Sequence, residues 1–230
     1  MTAVGTLLLA LSVGLPIWEA GEKDKERKAA LETANEATAA YDRHMHKILI
    51  PLGGLLAEII SAPTSKSLEV QQAQFKQAII GSALDTLGNA ELRASLFECD
   101  TEVAPTKLTC STLWKGRDHA PRPEFSSDND AGKEALRVLS SRETNFIDDA
   151  EKRRPPGWGD KTQHDYLTYI QSPVYNGDRS FGLLCLDAPN SGDLERRDIR
   201  MVELLASLLG CVLAIEPNTQ RPGATPHPRS

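Results

Sequence analysis

Between Asp165 and Ala188 the sequence DYLTYIQSPVYNGDRSFGLLCLDA sets two runs of β-branched, aromatic and aliphatic residues on either side of Asn176-Gly177-Asp178. Asn-Gly supplies the two positive-φ positions of a tight hairpin turn, so the stretch predicts an antiparallel β-hairpin. Side chains alternate along a strand, which puts Leu183, Cys185 and Asp187 on one face and Gly182, Leu184, Leu186 and Ala188 on the other. Apolar residues on both faces require a central strand covered twice. Pro173 cannot donate to a ladder and predicts a bulge or a strand end. A helical pattern from Leu194 to Ile215 follows at once.

The rest of the chain must cover that hairpin. Its 230 residues suffice for one domain of ordinary size plus extensions. The net charge is −6, with Lys and Arg scattered rather than massed, which argues against nucleic-acid binding. Cys99, Cys110, Cys185 and Cys211 are far apart in apolar runs without a CxxC pair. They read as buried free thiols of a reducing compartment, with neither a metal site nor a disulfide framework.

Thr2 to Trp18 carries no charged side chain. As a helix it would span roughly 25 Å, slightly less than a ~30 Å hydrocarbon core. A cleaved signal peptide lacks its preceding basic residues and A-x-A site, and a buried core helix is a third possibility. The reading carried forward is a membrane anchor through residues 2–18. Lys23, Lys25, Arg27 and Lys28 follow it and would keep the remainder on the cytoplasmic side; a soluble cytoplasmic protein is the alternative.

Leu31, Ala34, Thr38, Tyr41, Met45, Ile48, Leu52, Leu55 and Ile59 alternate spacings of three and four. That seam predicts a long coiled-coil-like helix, kinked near Pro51, and favours a homodimer. Packing of the seam on the chain's own second helix is the alternative. The second helix is expected to be capped by Ser67 and to end at Gly88-Asn89. Strands are expected over Leu92–Cys99 and Leu108–Trp114, a helix capped by Asp130 over Ala131–Ser141, and a short extended piece over Thr144–Asp149. Glu151–Gln163 reads as a polar loop, and the closing helix should begin near Asp193. The divisions are an anchor at 1–20, a helical stalk at 21–62, a folded domain at 66–216 and a disordered Pro-rich tail at 217–230.

From about Leu68 to Ile215 the chain resembles a GAF domain, a sensory relative of the PAS fold. The residues that carry the likeness are Ser172-Pro173-Val174, Gly177, Phe181-Gly182-Leu183-Leu184-Cys185-Leu186, Asp198, Leu204-Leu205-Ala206 and Ile215. Ser141 to Asp148 is similar to the step that precedes the family's hairpin, without its usual Gly and Pro. The resemblance implies an α+β fold: a central antiparallel sheet with the second and last helices on one face. The Ala120–Asp149 segment would roof the other face, where ligands of the family bind. Asn145-Phe146-Ile147-Asp148-Asp149 lacks the Lys of the cyclic-nucleotide signature. No Cys lies between Ser111 and Leu184 to hold a bilin, and Cys99 and Cys110 fall on strands rather than in the loops used by sulfoxide-reducing relatives.

The function expected is therefore a non-enzymatic, dimeric, membrane-tethered sensor whose small-molecule ligand and cofactor are not specified by sequence. Pocket candidates are Trp114, Phe125, Phe146, Asp148, Tyr169 and Cys185, with no metal site and no catalytic residue. Two alternatives differ in class. One is a dimerisation scaffold whose pocket is filled by side chains. The other is a phosphotransfer helical hairpin using His46, whose spacing to Pro51-Leu52 matches a sensor-kinase phosphoacceptor helix although Lys47 replaces the usual acid.

Overall fold

The computed structural model describes residues 46–62, 64–87, 91–110, 112–158 and 165–216, and before them residues 25, 27, 28, 31 and 32. The chain divides into Met1–Lys47 and Ile48–Ser230. In the first unit the described residues Lys25, Arg27, Lys28, Leu31, Glu32, His46 and Lys47 are helical and exposed. The expected anchor and the tail from Pro217 lie outside the described residues. Among those described, no helix is long and apolar enough to cross a membrane.

The second unit begins with helix α1, residues 48–60, helical on both sides of Pro51. Its seam positions Ile48, Leu52 and Ile59 are 6, 3 and 2 % exposed. The chain itself covers them, and the seam residue Leu55 is half-buried. Helix α2, Ser65–Leu87, follows. Its cap is Thr64 rather than Ser67: the Thr64 hydroxyl accepts from the Ser67 N–H at 3.2 Å. Ser67 reciprocates by accepting from the Thr64 N–H at 3.4 Å, the Ser filling the role that Glu has in a capping box.

Among the described residues the sheet contains seven strands: β1 Arg93–Cys99, β2 Lys107–Thr109, β3 Trp114–Gly116, β4 Glu124–Ser126, β5 Asn145–Ile147, β6 Thr168–Asn176 and β7 Arg179–Ala188. Their order is β4-β2-β1-β7-β6-β5, all antiparallel, and β3 shares with β2 the outer edge of β1. The strand expected over Leu108–Trp114 is thus two short strands: β2 pairs with the end of β1 and β3 with its start.

The β6–β7 hairpin is the spine of this sheet. Asn176 pairs with Arg179, so Gly177 and Asp178 form the turn and Asn176 closes the ladder. Among the described non-glycine residues only Ala104 and Arg142 have positive φ, while Gly177 has φ 56°. A positive φ at the first turn residue alone is the geometry of a type II′ hairpin rather than the two-position turn expected from Asn-Gly. Pro173 sits inside β6 opposite Leu183, and the register shifts one step later, between Val174 and Tyr175. The β5 ladder has already stopped at Gln171, so the proline lies past the reach of its outer neighbour.

Helix α3, Asp130–Ser141, is capped by Asn129, whose side chain accepts from the Gly132 N–H at 2.9 Å. A Cβ on Gly132 would lie 1.8 Å from the Ser126 carbonyl oxygen; glycine lets α3 rest directly on β4. Helix α4, Ile199–Leu213, starts later than Asp193 because Glu195 and Asp198 cap a 3₁₀ turn, Arg196–Asp198, ahead of it. Helices α2 and α4 pack together, α2 against β1 and α4 against β6 and β7. On the opposite face Ala135, Val138 and Leu139 of α3 form one core with Phe97, Leu108, Phe125, Leu183 and Cys185. The two-layered cover around a central antiparallel sheet is the α+β architecture expected from the sequence.

Candidate functional site

Strand alternation and register decide what faces α3's side of the sheet. Arg93 lies opposite Asp187, and Asp187 opposite Tyr169. One step along, Ser95 lies opposite Cys185, and Cys185 opposite Gln171. Those two rows, with Phe97, floor a cavity of about 420 Å³. Its remaining wall comes from His119, Ala120, Pro121, Arg122, Phe125, Asp165 and Tyr166. A cavity of this size, walled by aromatics with a few convergent polar groups, suits a small molecule.

One end is built from charges. The Arg93 side chain is 2 % exposed and its Nε donates to Asp187 Oδ2 at 3.1 Å. Nη1 and Nη2 each reach Asp165 at 3.1 Å in a bidentate pair. Nη1 also donates to the main-chain carbonyl of His119 at 2.8 Å. Arg117 completes the group by pairing with Asp187 and, at 3.3 Å, with Asp165. Two guanidinium groups and two carboxylates thus cancel formally. Burial opposes the Arg93 charge, yet Asp187 and Asp165 raise its pKa above the ordinary value. Burial pushes the Asp187 carboxyl up against the pull of Arg93 and Arg117. The cluster fixes the loop that carries His119 to Arg122, because Arg93 is anchored in a central strand and grips that loop's backbone.

The aromatic side is similarly interlocked. Tyr166 and Tyr169 meet edge to face with centroids 5.8 Å apart, and Trp158 stacks on Tyr169 at 6.1 Å and meets Tyr166 edge-on at 5.2 Å. Trp158, from a segment that reads as polar loop, is therefore part of the wall's support. Phe97 and Phe125 lie 4.8 Å apart across the cavity's other side. In the middle of the floor, Ser95 is 1 % exposed and its Oγ has no hydrogen-bond partner among the described residues. A buried hydroxyl without a partner is unfavourable by about 1–3 kcal/mol, unless something in the cavity bonds to it.

Of the residues expected at a pocket, Phe125, Tyr169 and Cys185 line this cavity. Trp114 packs against the core that contains Phe97 and Phe125, outside the lining. Phe146 belongs to the edge strand β5 instead of the roof, and its pairing with Ile170 turns it to the sheet face opposite Tyr169. Asp148 is exposed and its carboxylate accepts from the Asp149 N–H at 3.1 Å. His46 is an exposed helical residue of the first unit. Arg93, Ser95, Asp165, Tyr166, Gln171 and Asp187 were not anticipated. A signal for two of them was present: Arg93 and Asp187 are opposite charges flanking the apolar runs of β1 and β7.

Burial holds three of the four thiols in the protonated, poorly nucleophilic form. Burial, with Asp100, Glu102 and Glu98 nearby, pushes Cys99 to about 12. Burial and Glu98 push Cys110 to about 11, and burial raises Cys185 well above its ordinary value. Cys211 differs from the expectation of a buried thiol, being exposed on α4. Among the described residues no group of three or more His, Cys, Asp or Glu side chains is arranged to hold a metal ion.

The GAF-domain family model matches residues 77–213. The chain is a member of the GAF family. Three solved GAF domains share the fold of this one at low identity. One is 15 % identical with a TM-score of 0.52, over 75 % of this chain and 88 % of that one. The GAF domain of a phosphoenolpyruvate-protein phosphotransferase from Coxiella burnetii is 16 % identical with a TM-score of 0.51, over 73 % and 92 %. The corresponding domain from Acinetobacter is 16 % identical with a TM-score of 0.50, over 72 % and 92 %. No curated protein matches the chain significantly. GAF domains are sensory and ligand-binding modules, and the cavity lies on the sheet face that the resemblance assigns to ligands.

Proposed function

We propose that this chain is a GAF-type sensor that binds a small molecule in the cavity over Ser95, Cys185 and Gln171 and performs no catalysis itself. The observation that carries the reading is the unpartnered Ser95 hydroxyl in the floor of a cavity of about 420 Å³. A scaffold whose pocket is filled by side chains would leave neither the space nor the orphan hydroxyl. High-lying thiol pKa values support a non-enzymatic role, since the thiolate is the reactive form.

The same reading extends to assembly and location. Residues 2–18 tether the module to a membrane, on the strength of their charge-free sequence. The partner is a second copy. With Ile48, Leu52 and Ile59 covered by the chain itself, the second copy meets α1 through its outward side, where Leu49, Ile50 and Ile60 are 40, 70 and 66 % exposed.

Non-denaturing mass spectrometry of the purified full-length protein tests ligand binding. A bound small molecule should appear as a mass excess that Gln171→Trp abolishes by filling the cavity while the variant stays folded. If neither a mass excess nor a thermal shift with a broad metabolite set is seen, the scaffold alternative replaces this reading.

A further inference from the structure

The charges around the cavity do not cancel at its rim. Arg93, Arg117, Asp165 and Asp187 pair among themselves. Arg122, which also lines the cavity, has no carboxylate partner among the described residues; its guanidinium lies over the Phe125 ring at 4.8 Å. Glu134, which lines the adjoining small cleft together with Arg122, is engaged by Arg137 through two hydrogen bonds of 2.7 and 2.8 Å. The site therefore offers one uncommitted cation, flat aromatic walls at Phe97, Phe125, Tyr166 and Tyr169, and one uncommitted hydroxyl on Ser95.

From this arrangement we infer that the ligand is an aromatic monocarboxylate carrying a polar group, hydroxyl or carbonyl, at its far end. The inference rests on the reading of this cavity as a ligand site. The carboxylate meets Arg122 at the rim, where a planar guanidinium donates to both oxygens of a carboxylate in one plane. The ring system lies between the aromatic walls, and the polar group bonds to Ser95 Oγ, the buried partner that the floor lacks. A second carboxylate is disfavoured because it would meet Asp165 or Asp187, whose guanidinium partners are already shared. A dication is disfavoured by Arg122 itself.

Three related probes separate the elements of this proposal: 6-hydroxy-2-naphthoate, 2-naphthoate, which lacks the hydroxyl, and 2-naphthol, which lacks the carboxylate. Titration of the full-length protein, followed calorimetrically at up to millimolar probe, should rank the first tightest. Removing either group should weaken binding about tenfold, the effect of losing one hydrogen bond to a charged or buried partner. Arg122→Gln should erase the advantage of the carboxylate and Arg122→Lys should restore part of it. Ser95→Ala should erase only the advantage of the hydroxyl. Arg122 is exposed, so its variants should fold normally, and their melting temperatures check this. If 2-naphthol binds as tightly as the acids, or Arg122→Gln leaves the ranking unchanged, the inference is overturned while the cavity remains a ligand site. Failure of all three probes to bind overturns the inference; absence of any co-purifying ligand in the mass spectra as well removes the reading beneath it.

Discussion

Replacing Arg93 by methionine keeps an unbranched apolar stem of similar length to arginine's and removes the guanidinium with its charge. Several bonds go with it: Nε to Asp187 at 3.1 Å, the bidentate pair to Asp165, and the donation to the His119 carbonyl at 2.8 Å. These losses are unequal. Asp165 is 40 % exposed, so water replaces much of what it loses, whereas the Asp187 side chain is only 9 % exposed. Breaking a buried pair by removing one partner costs about 3–5 kcal/mol. The lower end applies because Arg117 remains beside Asp187. The expected loss of about 3 kcal/mol corresponds to a fall in melting temperature of about 6–12 °C for a chain of this length. Urea denaturation of the variant, at pH 7 with the slope unchanged, measures it. Combining Arg93→Met with Asp187→Leu should recover at least ~1 kcal/mol relative to the single variant, since no buried charge is then stranded on β7. A loss below ~1 kcal/mol, or a double variant as poor as the sum of the singles, would refute a buried, coupled cluster.

Gly182 has φ 155° and a Cβ there would lie 1.9 Å from the Phe97 carbonyl oxygen, so Gly182→Ala should cost at least ~2 kcal/mol in the same denaturation assay. Gly53→Ala, on α1 with nothing within 4 Å, should instead stabilise by ~0.5–1 kcal/mol; destabilisation there would mean that this face is occupied. Leu52→Asp should lower the melting temperature of the folded chain, whereas Ile50→Asp should affect only sedimentation of an assembled species; the reverse pattern would place the partner on the seam. At pH 8 a disulfide reagent should titrate Cys211 rapidly, half-buried Cys99 more slowly and buried Cys110 and Cys185 slowest, and a fast reaction at Cys110 or Cys185 would contradict their burial. Thr106 and the neighbouring backbone N–H groups hold Asp100 below the ordinary carboxylate range. Its stabilisation is present above that range and fades as pH falls through the lowered value, so Asp100→Asn should flatten the stability profile between about pH 5 and 3.

The central hairpin, its alternating faces and its closing helix were legible because they are local: period, turn residues and length all act within a few residues. The floor of the cavity was half legible. Alternation alone places Cys185 and Asp187 on one face, but only the register with β1 brings Arg93 and Ser95 beside them. Phe146 and Asp148 were misplaced for a related reason. A short extended segment after a helix resembles a roof until its pairing with β6 is known. Trp158 was hidden by its Pro- and Gly-rich surroundings, which mark a loop without saying what the loop packs on. The burial of Ile48, Leu52 and Ile59 illustrates a further ambiguity: a heptad-like seam specifies a partner helix but not whether that helix belongs to the same molecule.

On β1, β6 and β7 the residues that line the cavity are Arg93, Ser95, Phe97, Tyr169, Gln171, Cys185, Leu186 and Asp187. All but Leu186 carry odd numbers, and the residues between them, Ala94, Leu96, Ile170 and Leu184, are fully buried on the side of α2 and α4. One stretch of chain thus holds two independently variable texts, interleaved letter by letter. A lineage can rewrite odd positions such as Ser95 and Gln171 to suit a new chemical signal, with the Arg93–Asp187 pair kept to hold its loop, while the even positions keep the helices seated. The same fold can then change what it recognises by single substitutions, without renegotiating how it stands.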